Sequence, residues 1–332
     1  MFALLKKIID TVSITGSEGE LGHWLSHWLI ARGYSVQRQP LSEERFNLLA
    51  CANRSPRVLF CTHLDTVAPF HPFREGHDRI WGRGACDAKG VLWAMLMAGD
   101  RLRQSGCTSF GFLLVVGEEL ASDGAKKAAE LNLKTEYIVL GEPTDNCLVN
   151  RQKGALLFRI NVTGRSGHSG YPAQGSSAIH RLVQVVNSLL QTDWGFDPEL
   201  GESTLNIGSL SGGEGANIIA DHAQADGLFR LAGPADEIVT ALHAFEDEQV
   251  QIQILSQSPA QQLFTLPGYP SKTVSFGSDA AYLKPLAKVL LIGPGSIHMA
   301  HRADEHIQKS DLLAAVPLYE KMVVDLLKLG RR

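Results

Sequence analysis

The residues that could do chemistry begin at His63-Leu64-Asp65, which closes an apolar run, 58–60, with the spelling of a buried strand. Two apart on a strand-like backbone, His63 and Asp65 point the same way. A neutral imidazole is a common metal ligand, and a carboxylate beside it can fix which ring nitrogen carries the proton. An ordinary hydrogen-bonded pair has the same spelling, so the pair gains weight only if further ligands arrive at other strand ends. Glu118-Glu119 closes the apolar run 110–116, and Glu142 closes the run 137–140. Asp87 opens a helix at what should be the same edge, a position where a carboxylate also serves as an N-cap. Downstream, His298 and His301 compete for one more place.

Were His63, Asp87, Glu119, Glu142 and His301 to meet, two imidazoles and three carboxylates would form an N/O set suited to zinc, with cobalt or manganese as substitutes. One metal needs about three protein ligands plus water. Five side chains serve two metals only if a carboxylate bridges them, at a separation of roughly 3.5–4 Å. Water between such cations is acidified into a nucleophile. Glu118, beside Glu119, is the candidate to take its proton and hand it to a leaving amine. His168, in the loop 164–170, is the candidate donor to a developing oxyanion.

The elements that must position these groups alternate. Helices are expected at 3–11, 17–32, 91–103 and 123–131. Strands are expected at 34–38, 47–50, 58–60, 110–116 and 137–140. Buried strands alternating with helices predict an α/β fold on a mostly parallel mixed sheet, with ligands beyond the carboxyl ends of its strands. From residue 150 the pattern changes to strand-helix-strand-strand-helix-strand, the ferredoxin-like split βαβ order. Residues 151–257 are therefore expected as an inserted α+β domain, and 1–150 with 258–332 as the domain carrying the site. His23 and His27, one turn apart on the second helix, lie among two Trp and are read as packed or solvated. His71, His77, His180, His222, His243 and His306 are read as structural or surface residues.

The bulk composition narrows the class. The chain has 332 residues, is 44% hydrophobic and 20% charged, and carries a formal charge of -4. With no basic tract, nucleic acid is not expected as a partner. No run of about 20 apolar residues is present, so no membrane span is expected. The N-terminal stretch lacks the pattern of a signal peptide. Five scattered cysteines form neither a disulfide framework nor a CxxC site, and a reducing cytoplasm is the expected location.

Taken together, His63-Leu64-Asp65, Gly84-Ala85-Cys86-Asp87-Ala88-Lys89-Gly90, Gly117-Glu118-Glu119, Gly141-Glu142-Pro143-Thr144 and His168-Ser169-Gly170 stand in the order of one family. The chain resembles the co-catalytic zinc amidohydrolases that include acetylornithine deacetylase, succinyl-diaminopimelate desuccinylase, carboxypeptidase G and aminoacylase. Phe276-Gly277-Ser278-Asp279 and His301-Arg302-Ala303-Asp304-Glu305 extend the match over nearly the whole chain. The resemblance implies a zinc-exopeptidase-like fold and two zinc ions bridged by Asp87. His63 and Glu142 would complete one site, and Glu119 and His301 the other. It also implies Glu118 as general base, Asp65 as the partner that orients His63, and a cis peptide at Asp87-Ala88. The inserted domain would be a lid that forms a homodimer and offers His168 across it. Where the family often has Asp-x-Arg, this chain has Leu228-Phe229-Arg230; Arg230 is the candidate clamp on the substrate carboxylate. Asn217, in the turn 212–217, is the candidate for a further substrate contact. The activity implied first is hydrolysis of an N-acylated amino acid, most like acetylornithine deacetylase in arginine biosynthesis. A dipeptidase or carboxypeptidase comes next, and a metal-free binding protein on the same fold is the alternative of another class.

Overall fold

The computed structural model describes residues 1–329. The chain divides into two units. One comprises Met1–Asn150, Leu263–Lys272 and the chain from Ser278 onward; the other comprises Arg151–Gln262 and Thr273–Gly277.

The first unit begins with α1 (Ala3–Asp10), α2 (Gly19–Ile30), β1 (Ser35–Pro40), β2 (Phe46–Cys51) and β3 (Val58–His63). Along α2, Leu21, Leu25 and Leu29 are buried, which is the spacing of a helix with one apolar face. Gly33, at φ +77, ends it in the left-handed conformation that favours glycine. His23 and His27 face solvent. Two short strands follow, β4 (Arg74–Glu75) and β5 (Arg79–Trp81). Then come α3 (Lys89–Gln104), β6 (Phe110–Val115), α4 (Asp123–Ala128), β7 (Tyr137–Leu140) and β8 (Leu148–Gln152). The second unit supplies β9 (Gly154–Thr163), α5 (Ala178–Gln191), β10 (Thr204–Gly212), β11 (His222–Leu231), α6 (Ala235–His243) and β12 (Val250–Ser258). The chain then returns through α7 (Ala280–Leu283), β13 (Lys288–Leu291), β14 (His306–Gln308) and α8 (Lys309–Leu329).

The large sheet of the first unit runs β1-β2-β6-β3-β7-β13-β8. Its middle strands β6, β3, β7 and β13 are parallel neighbours, and antiparallel strands flank them on both sides. Every residue of β3, β6 and β7 is buried, as befits parallel strands covered on both faces. Phe60, midway along β3, packs on Phe110, Phe112 and Tyr319 with ring centroids 6.2, 5.7 and 5.6 Å away. Because the middle strands are parallel, His63, Glu118-Glu119 and Glu142 all follow the same edge. A separate small sheet, β14-β5-β4, pairs His306 with Trp81.

In the second unit the sheet order is β10-β11-β9-β12, antiparallel throughout. With α5 and α6 this is the ferredoxin-like arrangement. Burial alternates along β9, placing Leu156, Phe158, Ile160 and Val162 in a core with Leu182, Val185 and Leu189 of α5. The expected return of the chain at 258 is corrected to 263. Gln261 and Gln262 still pair with Gln152 and Arg151, which keeps the segment with the second unit. Thr273–Gly277 also belongs to that unit.

Candidate metal centre

His63 is the last residue of β3 and is 1% exposed. Its Nδ1 lies 2.9 Å from the main-chain carbonyl of Asp65. A carbonyl only accepts, so Nδ1 carries a proton, and in the neutral ring that a bound cation requires Nε2 would present its lone pair. That nitrogen is 3.2 Å from Asp87 Oδ1 and 3.9 Å from Glu142 Oε2. Asp87 immediately precedes Ala88, the N-cap of α3, and its peptide bond to Ala88 is cis. Its carboxylate does not cap the helix: Oδ1 faces His63, and Oδ2 lies 3.6 Å from His301 Nε2. His301 Nε2 is also 2.8 Å from Glu119 Oε2. Suitable donor atoms of His63, Asp87 and Glu119 all fall within 4.8 Å of one another. Between His298 and His301 the structure brings His301 to the cluster, while His298 is exposed in the turn Ile297–Met299. The five side chains expected to meet do meet.

Asp65 departs from expectation. The spacing predicts its carboxylate on His63, but Oδ1 stands 3.6 Å from Nδ1 while the main-chain carbonyl takes the closer place. The fully buried carboxylate accepts instead from the N–H groups of Glu118 at 3.1 Å and Glu119 at 3.2 Å, and from the Thr15 hydroxyl at 2.9 Å. Asp65 therefore fastens the turn that carries Glu118 and Glu119. Gly117, at φ +76, makes that turn sharp; a Cβ there would meet Asp123 Oδ1 at 1.8 Å.

The electrostatics of the cluster are those of acids crowded into low dielectric. Burial pushes the carboxyl of Glu142 well above its ordinary range, with the Asp87 charge adding to the effect. Glu118 is raised well above its usual value by burial and by the neighbouring Glu142 charge. Burial raises Glu119 as well, against the bond from His301. Burial alone would lower the pKa of His63, yet Asp65, Asp87 and Glu142 outweigh it and hold the imidazole well above its usual pKa. Glu119 Oε1 and Glu142 Oε1 are buried with no hydrogen-bond partner. Unmatched buried carboxylate oxygens are costly unless a cation answers them. Two imidazoles and three carboxylates make a donor set that fits divalent zinc.

His168, Asn217 and Arg230 belong to the second unit. Gly167–His168 pairs antiparallel with Ile218–Ile219, and the N–H of Ser169 donates to the Asn217 carbonyl at 3.0 Å. The structure thus makes His168 and Asn217 neighbours. The N–H of Gly170 donates to His168 Nδ1 at 3.0 Å, which leaves the proton of the neutral ring on Nε2. Arg230, in β11, stands opposite Thr204 and Ala155. Sequence reasoning assigned no role to Arg83, Glu305 or Asp279, all buried in the first unit. Glu305 was visible only as the end of the motif that singled out His301.

Comparison with known proteins follows the same lines. Residues 150–249 match a family model described as a peptidase dimerisation domain. A peptidase M20 domain-containing protein of Schizosaccharomyces pombe is 35% identical, covering 98% of this chain and 84% of its own. A probable carboxypeptidase of Aspergillus flavus is 33% identical, covering 96% of this chain and 85% of its own. A tripeptidase from Staphylococcus aureus has a similar solved structure, with a TM-score of 0.79 at 22% identity over 97% of both chains. At that identity the likeness is one of fold.

Proposed function

The chain belongs to the M20 family of metallopeptidases, and from that premise we propose that it hydrolyses the terminal amide bond of a short peptide. The observation that carries the metal-dependent part is the convergence of five donors in which buried oxygens of Glu119 and Glu142 find no protein partner. Two divalent ions held there, zinc first and cobalt or manganese as substitutes, supply a Lewis acid for the scissile carbonyl and lower the pKa of water. His63 and Glu142 would hold one ion and Glu119 and His301 the other, with Asp87 shared.

The remaining steps fall to the protein's own groups. Glu118 takes the proton of the attacking water and delivers it to the leaving nitrogen. Asp65 keeps Glu118 and Glu119 in place through their N–H groups. His168, with its proton on Nε2, is assigned the donor role toward the oxyanion. Arg230 is assigned the substrate carboxylate, which its planar fork suits, and Asn217 a further polar contact. The match to a dimerisation domain supports a homodimer. Five free thiols support a reducing cytoplasm. Among the described residues no helix is long and apolar enough to cross a membrane.

The printed name of the Aspergillus relative, probable carboxypeptidase, favours a peptide substrate. Removal of an acyl group from an amino acid uses the same atoms. The order of motifs shared with acetylornithine deacetylase supports that second reading. A screen across N-acetyl amino acids, N-succinyl amino acids and dipeptides, with bound metal measured, decides between them. Chelator-sensitive cleavage of dipeptides, restored by zinc, is expected. Faster cleavage of N-acetylornithine than of any dipeptide would move the assignment to deacetylase. A folded chain inert on every substrate would make it a binding protein. For His168, mixing inactive His168→Ala and Glu118→Ala chains should restore activity if the donor acts across a dimer.

A further inference from the structure

Two buried charged side chains stand beside the ligand cluster without belonging to it. Arg83 and Glu305 are each 2% exposed. Arg83 Nη1 donates to Glu305 Oε2 at 2.7 Å and to the Arg302 carbonyl at 3.1 Å, and its Nε donates to the Pro69 carbonyl at 3.1 Å. Glu305 Oε1 accepts from the N–H groups of Cys86 at 3.0 Å and Asp87 at 3.2 Å. Beside them, the Gly82 N–H donates to the Glu305 carbonyl at 3.2 Å. The pairing of β14 with β5 holds the two segments in register. One ion pair thus joins the segment that carries Asp87 to the segment that carries His301.

The two halves of the cluster are built differently. His63 and Glu142 stand at the ends of β3 and β7, where the parallel ladder and the core fix them. His301 lies outside any strand, its side chain is 53% exposed, and its backbone is at φ +63. A non-glycine residue keeps that conformation only where its surroundings impose it. The firm anchor downstream of His301 is Glu305, and the same side chain grips the backbone of Asp87.

We propose that Glu305, held by Arg83, is a positioning residue that fixes the His301 segment against the backbone of Asp87 and so sets the affinity for the one ion that Glu119 and His301 would hold. The proposal rests on the metallopeptidase reading above. It predicts a loss confined to one ion, whereas a general weakening of the fold would affect both.

The test is Co2+ titration of the metal-free full chain, followed by calorimetry and visible absorption, for wild type, Glu305→Gln and Arg83→Lys. Wild type should take two equivalents. Each variant should keep one at unchanged affinity and bind the other about 10–100-fold more weakly, the usual effect of losing a group that orients a ligand. The absorption band of the weakened site should change with it. Should Glu305→Gln fail to fold, Arg83→Lys, which keeps the charge, decides alone. Two equivalents at wild-type affinity in the variants, or equal weakening of both, would overturn the proposal. Wild type that takes up no Co2+ would instead sink the metal reading itself, and this one with it.

Discussion

Asp65→Asn separates what the spacing predicts from what the structure shows. The carboxylate is fully buried and accepts from three donors: the Glu118 N–H on Oδ1, and the Glu119 N–H and Thr15 hydroxyl on Oδ2. In asparagine one of these positions becomes an NH2. If it replaces Oδ1 it opposes the Glu118 N–H. If it replaces Oδ2 it opposes the Glu119 N–H, but the Thr15 hydroxyl can rotate and accept. The second arrangement costs less and leaves one buried N–H without a partner, about 1–3 kcal/mol. The surviving N–H bond also loses its charge assistance, roughly 1 kcal/mol more. A total of about 2–4 kcal/mol, expressed as displacement of Glu118 and Glu119, corresponds to roughly a 30- to 1,000-fold fall in kcat/KM. The acceptor for His63 Nδ1 is the main-chain carbonyl, which the substitution leaves in place. Metal analysis of the variant should therefore still find the ion assigned to His63. Steady-state kinetics at saturating zinc measure the rest. A fall of less than threefold would show that the Glu118–Glu119 turn holds itself. Loss of all bound metal would return Asp65 to the role of orienting His63.

Other substitutions probe the scaffold. Gly117→Ala forces a Cβ onto Asp123 Oδ1 at a left-handed φ of +76; hydrolysis should fall at least a hundredfold, and near-wild-type kinetics would refute the turn argument. Phe60→Ala opens a cavity among Phe110, Phe112 and Tyr319. It should cost about 3–5 kcal/mol in urea unfolding of the chain, and a loss under 1 kcal/mol would mean that the core closes around the gap. Burial pushes Asp279 up to about 7, against the pull of Ser122 and His63. Its contribution to the metal-free native state is fully present below the unfolded value of 3.8 and is lost as pH rises through about 7. Asp279→Asn should therefore raise the melting temperature of the metal-free chain at pH 8 relative to wild type and leave it unchanged near pH 3.8. Equal curves at both pH values would count against the assignment.

What the sequence made legible follows from how local each signal is. The middle strands announce themselves because a parallel strand buried on both faces is an unbroken apolar run. The polar residues that end those runs had to reach the ligand edge, so His63, Glu118, Glu119 and Glu142 could be picked out one strand at a time. The alternation of β9 and the amphipathic α5 made the inserted unit equally visible. Asp65 was legible only in part: its carboxylate does face His63, at 3.6 Å, but the spacing could not show that the main-chain carbonyl lies closer or that Thr15, Glu118 and Glu119 donate to the side chain. The Arg83–Glu305 pair was out of reach for a different reason. It depends on β5 and β14, three residues each and far apart in sequence, which are too short to carry a periodicity. Nothing local marks them as partners.

The buried acids of the first unit sort themselves by what answers their charge. Asp65 and Glu305 spend both oxygens on N–H or hydroxyl donors of the protein. They are complete as they stand and act as fasteners. Asp87 and Glu119 present oxygens to imidazoles, and Glu119 and Glu142 each hold one that meets no donor at all. Two carboxylates about 5 Å apart repel by roughly 3 kcal/mol at an effective dielectric of 20, so the inner group is kept together against its own charge. Burial first, and then that repulsion, raises the carboxyls of Glu119 and Glu142, while attraction to the same carboxylates raises His63. Strand ends hold His63 and Glu142 against it, Asp65 holds the Glu119 turn, and Glu305 holds Asp87. The inner acids can remain unmatched because the outer ones are satisfied.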